Sequence, residues 1–112
     1  MTTETPQQAI GRLRGEIRRY LCNEVPLQVL EATLRGVGLN IELTPDGYRF
    51  RVPCSKTLNP AQEESVMALP KLYAVDPPQR LPDAILVAGC DVECLPGILT
   101  ELSSVGLIFH SA

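Results

Sequence analysis

The sequence predicts a single α+β domain, residues 1–112, in which a mixed or antiparallel sheet is covered by two or three helices. Three observations predict this class. Apolar residues recur at helical spacing near the amino terminus, alternate with polar residues between positions 39 and 52, and form an unbroken run at Ile85–Ala88. A chain of 112 residues has the usual size of one domain and can bury a core without disulfides.

Two helices are predicted first. Thr5-Pro6-Gln7-Gln8 has the pattern of a capping box with Pro at the first helical position, so the first helix begins here and runs to about Leu21 or Cys22. The second helix begins at about residue 25 or 26 and ends near Gly36, because glycine commonly lies just past a helix end. The apolar stripe of the first helix is Ile10, Leu13, Ile17, Tyr20 and Leu21.

A β-hairpin follows, with strands at about 39–44 and 48–53. Thr44-Pro45-Asp46-Gly47 supplies the turn, because Pro presets φ and Gly accepts the left-handed position. The alternation predicts a polar, solvated face on which Glu42 lies across from Arg49. The predicted apolar pairs are Leu43 with Tyr48, Ile41 with Phe50, and Leu39 with Val52.

A short third helix is predicted from the capping pattern Asn59-Pro60-Ala61-Gln62 to about Leu69, where Pro70 should end it. Residues 70–83 hold four prolines, which predicts a stiff, extended connector. We expect a short edge strand within it at Leu72–Val75.

The last third of the chain predicts a β-α-β unit. The run Ile85–Ala88 is typical of a strand covered on both faces, Pro96 can open a helix, and Gly106 can end it before a final strand at Leu107–Phe109. The connection is long enough for a right-handed crossover between parallel strands. Residues 30–39 resemble residues 98–107, because each segment reads as the end of a helix followed by Val-Gly-Leu and a predicted strand. Two such halves would suit a ferredoxin-like sandwich.

Charge and composition exclude several classes of function. Residues 1–51 hold seven Arg and six acids (net +1), whereas residues 52–112 hold three basic residues and seven acids (net −4). A net charge of −3 disfavours a dedicated nucleic-acid binder, which needs a basic surface. The polar start MTTETPQQ lacks the features of a signal peptide, and no apolar run could span a bilayer. We therefore expect a cytoplasmic protein whose four cysteines are thiols.

The segment from Cys90 to Cys94 holds the most interesting polar cluster, just past the carboxyl end of a predicted strand. Cys90 and Cys94 are candidate metal ligands, but the C-x-x-x-C spacing lacks a second pair and His110 is the only histidine. A reactive thiol near the helix start is another possibility, although the flanking acids oppose it. Small half-buried side chains at a helix start explain both cysteines most simply. We predict no catalytic residue, no cofactor and no enzyme activity.

The function predicted from these patterns is a small non-catalytic interaction, adaptor or regulatory module. Its partner is another protein or a second copy in a homodimer. One alternative is a small-ligand or metal sensor at the turn 89–97. Another is a nucleic-acid binder, because two helices and an Arg-bearing hairpin resemble a winged helix, although the groove-binding third helix is missing. The predicted contact residues are Arg12, Arg14, Arg18, Arg19, Arg49 and Arg51.

Overall fold

The structure is a computed structural model that describes residues 5–36, 39–54 and 57–107. Within these ranges the chain forms four α-helices, one short 3-10 helix and four strands, which confirms the predicted α+β class. In chain order the elements are α1 (Pro6–Leu21), α2 (Leu27–Gly36), β1 (Ile41–Thr44), β2 (Gly47–Pro53), α3 (Pro60–Leu72), β3 (Gln79–Arg80), β4 (Ala84–Gly89), the 3-10 helix (Val92–Cys94) and α4 (Leu95–Ser104).

Both amino-terminal helices form where the sequence predicts them. At the start of α1 the Gln8 N–H donates to the Thr5 hydroxyl (3.1 Å), and the Thr5 N–H donates to the Gln8 side-chain oxygen (2.9 Å). This capping box satisfies amides that no helical carbonyl can reach. α1 ends at Leu21 as predicted, and α2 begins at Leu27, slightly later than expected.

The hairpin of β1 and β2 has the predicted register. Ile41 pairs with Phe50 and Leu43 with Tyr48. Glu42 lies opposite Arg49, and their side chains form an ion pair with 2.9 Å between Oε2 and Nε. Both charged side chains are exposed, so the predicted solvated face is confirmed.

The predicted pair of Leu39 with Val52 is wrong, because β1 begins only at Ile41. The Leu39 N–H donates instead to the Leu34 carbonyl at the end of α2 (3.0 Å), and the Leu39 side chain is buried. This bond uses one of the carbonyls that a helix leaves unpaired at its carboxyl end. Because Leu39 is bonded to the end of α2, β1 begins two residues later than predicted.

α3 starts as predicted but continues past its predicted end. Its capping box joins Asn59 and Gln62. Pro70 lies inside the helix, although proline removes an N–H and crowds the carbonyl four residues back. Leu69 is fully buried, and the Tyr73 N–H donates to its carbonyl (2.9 Å). Core packing therefore holds the last turn together despite the proline.

The predicted strand Leu72–Val75 does not form. Its first residue belongs to α3, and Val75 makes a single isolated bridge to Gly89. The edge strand of the connector is β3, which pairs with Ile85 and Leu86 of β4. Prolines keep this edge short because they cannot donate to a ladder. They are Pro77, Pro78 and Pro82.

The sheet has the order β1-β2-β4-β3, and all pairings within the described residues are antiparallel. β4 and α4 form as predicted, and Gly106 follows the helix with a φ of +74°. Of the predicted final strand only Leu107 is described, as a buried residue outside any strand; positions 108–109 and His110 lie outside the described residues. The mixed sheet and the ferredoxin-like arrangement are therefore not confirmed and stay predictions.

The core lies between the helices and one face of the sheet. That face contributes Ile41, Leu43, Tyr48, Phe50, Val52, Ile85 and Val87. On the other face Glu42, Arg49 and Arg51 are exposed. Leu86 and Ala88 share that face and are half-buried, so the expectation that β4 is covered on both faces is only partly met. We call this second face the uncovered sheet face.

Candidate interaction site

The six predicted arginines do not form one surface. They divide between one flank of α1 (Arg14, Arg18), its other flank (Arg12, Arg19) and the uncovered sheet face (Arg49, Arg51). Arg12 approaches Glu16 with 3.8 Å between Nε and Oε1, and Arg49 is paired with Glu42. The two arginines of the hairpin and the two pairs of arginines on α1 are therefore separate candidate surfaces.

Arg14 and Arg18 line a surface groove of about 270 Å³ between α1 and the start of α4. Ile17 is nearly fully buried at its floor, whereas Leu21 is 50% exposed on its wall. Pro96, in the first turn of α4, is the buried residue on the opposite side. We call this site the α1–α4 groove, and its residues are Arg14, Ile17, Arg18, Leu21, Cys22, Glu93 and Pro96.

The α1–α4 groove carries charges of both signs on opposite rims. Within the described part of the chain, neither Arg14 nor Arg18 forms an ion pair with a carboxylate. Glu93 faces them from the turn before α4 and is exposed. In a protein with a net charge of −3, the two arginines make this groove locally positive on its α1 side.

Tyr73 joins three helices next to this groove. Its ring lies directly on Gly97, where an added Cβ would be 2.6 Å from the nearest ring carbon. Burial raises the pKa of the Tyr73 phenol, the Glu101 carboxylate raises it further, and the Arg14 guanidinium lowers it. Tyr73 follows the last residue of α3, so these neighbours place the end of α3 beside α4 and near the middle of α1.

Asp91 organises the turn from Cys90 to Cys94. The Asp91 carboxylate accepts a hydrogen bond from the Glu93 N–H (3.0 Å) and caps the 3-10 helix. Cys90 is exposed and Cys94 is half-buried. Among the described residues, no group of three or more His, Cys, Asp and Glu side chains could hold a metal ion. The described fold thus brings no further ligands to the two candidate cysteines.

A buried hydroxyl lies beneath this turn. Tyr48 is 5% exposed, and its hydroxyl has no hydrogen-bond partner among the described residues. The ring lies against Gly89, where a Cβ would be 2.6 Å from the hydroxyl oxygen. Burial raises the pKa of the Tyr48 phenol, and the nearby Cys94 and Asp91 side chains raise it further. Strand alternation places Tyr48 in the core, but nothing in the sequence indicates that its hydroxyl is unpaired.

The uncovered sheet face contains a second groove of about 300 Å³, lined in part by Asn40, Arg51 and Leu86. Tyr48 and Phe50 both point into the core, so the hairpin offers no aromatic platform for nucleic-acid bases. The arginines of the hairpin and of the α1–α4 groove lie on different sides of the sheet. This geometry gives the winged-helix alternative no continuous basic surface.

The spacing of residues in α1 indicates the α1–α4 groove, although the number of arginines alone does not. Arg14 and Arg18 are four residues apart, and so are Ile17 and Leu21. Residues at this spacing lie one above the other on a helix, so α1 presents a cationic row beside an apolar row. The participation of Glu93 depends on tertiary packing, because it is far away in sequence.

Comparisons with known proteins do not assign a family. No protein-family model matches this chain, and no curated protein or solved structure matches it significantly. Within the described residues, no helix is long and apolar enough to cross a membrane. Within the described residues, the fold and the site define an α+β domain whose antiparallel sheet has one uncovered face and whose helical layer contains a charged groove.

Proposed function

We propose that this protein is a non-catalytic adaptor or regulatory module that binds another protein through the α1–α4 groove. The observation that carries the proposal is the position of Arg14 and Arg18, which form no ion pair with a described carboxylate, beside the half-exposed Leu21. Arginine is among the residues that contribute most to protein–protein binding.

The shape of the groove also favours a macromolecular partner. Sites for small molecules are usually concave and bury most of the ligand. The α1–α4 groove has only about 270 Å³ and opens along one side of α1, so it fits side chains that project from a larger surface. A partner that covers it would exclude water from both guanidinium groups, which strengthens their interaction with carboxylates.

The test compares two double charge reversals. Arg14→Glu with Arg18→Glu changes the groove, whereas Arg49→Glu with Arg51→Glu makes the same charge change on the uncovered sheet face. Each tagged variant is used to capture partners from cells that express the protein, and circular dichroism confirms that it folds. We expect the groove variant to lose a captured partner that the sheet variant retains. Equal capture by both variants would show that the groove is not the binding surface.

A second candidate function, a small-ligand sensor at the turn 89–97, is favoured by one observation. The buried Tyr48 hydroxyl beneath this turn lacks a partner among the described residues, so a polar ligand that entered the turn would gain a hydrogen bond. Native mass spectrometry of gently purified protein tests this idea. We expect a retained small molecule in the wild type that is lost in Tyr48→Phe; a clean apo mass for both proteins argues against the sensor.

Self-association and a cytoplasmic location remain predictions. The acidic carboxyl-terminal part of a second copy could supply carboxylates to the α1–α4 groove. Light scattering at two protein concentrations tests this, and a homodimer would show a mass that rises with concentration in the wild type but not in the groove variant. A concentration-independent monomer mass would leave a heterologous protein as the partner.

A further inference from the structure

We infer that the partner segment in the α1–α4 groove is an amphipathic helix with carboxylates along the flank that faces α1 and a basic residue on the opposite flank. This inference rests on the proposed function and specifies the chemistry of the partner. It follows from three properties of the groove: its row spacing, its apolar floor and the opposite charges on its rims.

The spacing of the rows matches a helix. Arg14 and Arg18 are four residues apart on α1, which corresponds to about 6 Å along the helix axis. Two carboxylates separated by one turn of a partner helix have the same spacing, so each can meet one guanidinium when the helices lie side by side. The same-face side chains of an extended strand are also about 7 Å apart, but they point in only two opposite directions, so a strand cannot place side chains on both rims and on the floor of the groove at once.

The apolar row fixes which face of the partner helix is buried. Ile17 and Leu21 run parallel to the two arginines, and Pro96 closes the groove on the α4 side. A partner helix can place an apolar stripe over the half-exposed Leu21 while its flanks face the two rims; Ile17 and Pro96 are already buried beneath it. Recognition of this kind uses anchors at positions i, i+3, i+4 and i+7 of the bound helix.

Glu93 determines how positive and negative charges must be distributed on the partner. Its exposed carboxylate lies on the rim opposite Arg14 and Arg18, so a partner that is acidic on every side would meet repulsion there. A helix with acidic residues toward α1 and Lys or Arg toward Glu93 satisfies both rims. This arrangement disfavours a uniformly acidic tail and a nucleic acid, whose phosphates are negative on all sides.

The inference is tested with fluorescently labelled peptides of about 20 residues, long enough to form a helix. The first peptide has a Leu stripe, Glu on one flank and Lys on the other. A second peptide contains Glu on both flanks, and a third has Lys on both. Fluorescence anisotropy with the full chain measures the affinities at two salt concentrations, and a DNA duplex is included as a competitor.

We expect the wild-type protein to bind the first peptide at least about tenfold more tightly than either of the others, because close opposite charges discriminate by this much. Raising the salt concentration should weaken this binding. Arg14→Glu with Arg18→Glu should reverse the preference between the first and third peptides, and Glu93→Lys should favour the uniformly acidic peptide. The control Arg49→Glu with Arg51→Glu should leave all three affinities unchanged.

Several outcomes would overturn the inference: equal affinity for the three peptides, no binding of any peptide, displacement by DNA, or an equal effect of the control variant. Its failure can be separated from that of the proposed function. If the groove variant loses a cellular partner that the sheet variant retains, but the wild-type protein does not discriminate between the peptides, the groove is the binding site and the helix assignment is wrong.

Discussion

The hydroxyl of Thr33 on α2 donates a hydrogen bond to the carboxylate of Glu16 on α1, and both side chains are buried. Arg12 approaches the same carboxylate, with 3.8 Å between its Nε and Glu16 Oε1. A buried carboxylate needs such donors, because its desolvation is costly. The contact therefore fixes how α1 packs on α2, and α1 in turn carries one side of the α1–α4 groove.

Removing this donor should destabilise the protein. We expect Thr33→Val to lower the free energy of unfolding by about 1–3 kcal/mol, because Glu16 stays buried without the hydroxyl. Glu16→Met combined with Thr33→Val should recover part of the loss, since both polar groups are then removed. Urea unfolding followed by circular dichroism measures both effects.

Thr100→Val provides the matched control for Thr33→Val. Each threonine hydroxyl lies near the carbonyl four residues earlier, Thr33 near Val29 (3.1 Å) and Thr100 near Pro96 (2.8 Å), but Thr100 is exposed and has no carboxylate partner among the described residues. We expect Thr100→Val to cost less than about 0.5 kcal/mol. Equal losses for the two variants would contradict a stabilising role of the Glu16 contact.

Alanine substitutions of glycine should have opposite effects at two places. A Cβ at Gly47 would lie 2.4 Å from the Gly89 backbone oxygen, and its φ of +155° disfavours other residues. We expect Gly47→Ala to cost about 1–3 kcal/mol. Gly11 on α1 has no atom within 4 Å of its added Cβ, so Gly11→Ala should stabilise by up to about 1 kcal/mol. Thermal and urea unfolding measure the stability of both variants. A Gly47→Ala variant as stable as the wild type would contradict the close approach of Gly47 to the Gly89 backbone.

The proline inside α3 should limit stability. Pro70→Ala restores an N–H that can donate within the helix, and we expect it to raise the free energy of unfolding, by at most about 3 kcal/mol. Pro60→Ala is the matched control, because a proline at the first helical position is favourable and its loss should not stabilise. A Pro70→Ala variant less stable than the wild type would show that the proline favours the native turn.

The buried Tyr48 phenol predicts a loss of stability at alkaline pH. Its pKa is raised by burial above the ordinary value of 10.0. Above pH 10 the unfolded chain therefore releases this proton while the folded chain keeps it, so the unfolded state binds fewer protons and stability falls as pH rises. Below pH 10 both states keep the proton, and the full contribution is present.

We expect the free energy of unfolding to fall by up to about 1.4 kcal/mol per pH unit above pH 10, and Tyr48→Phe to reduce this slope. Near neutral pH, Tyr48→Phe should be neutral or stabilising, because it removes an unpaired buried hydroxyl. Tyr73→Phe is the comparison, since the Tyr73 pKa is also raised but its side chain is only half-buried. An unchanged slope in Tyr48→Phe would contradict the assignment.

The sequence by itself determined the features that depend on near neighbours. Thr5 with Gln8 and Asn59 with Gln62 are three residues apart, so their capping boxes can be predicted without knowledge of the rest of the fold. The register of the hairpin follows from alternation around a short turn, because a slip of one residue would move every apolar side chain of a strand to solvent.

Only the tertiary structure decided which distant residues meet. Pro70 lies inside a helix because Leu69 is buried in the core. The same helix includes Leu72, and β3 rather than Leu72–Val75 forms the edge strand by pairing with β4. The same reason applies to the site. The spacing of Arg14 and Arg18 can be read from the sequence, but Glu93 faces them only because α4 packs on α1. Local patterns specify elements, whereas the burial of apolar faces determines how those elements are placed.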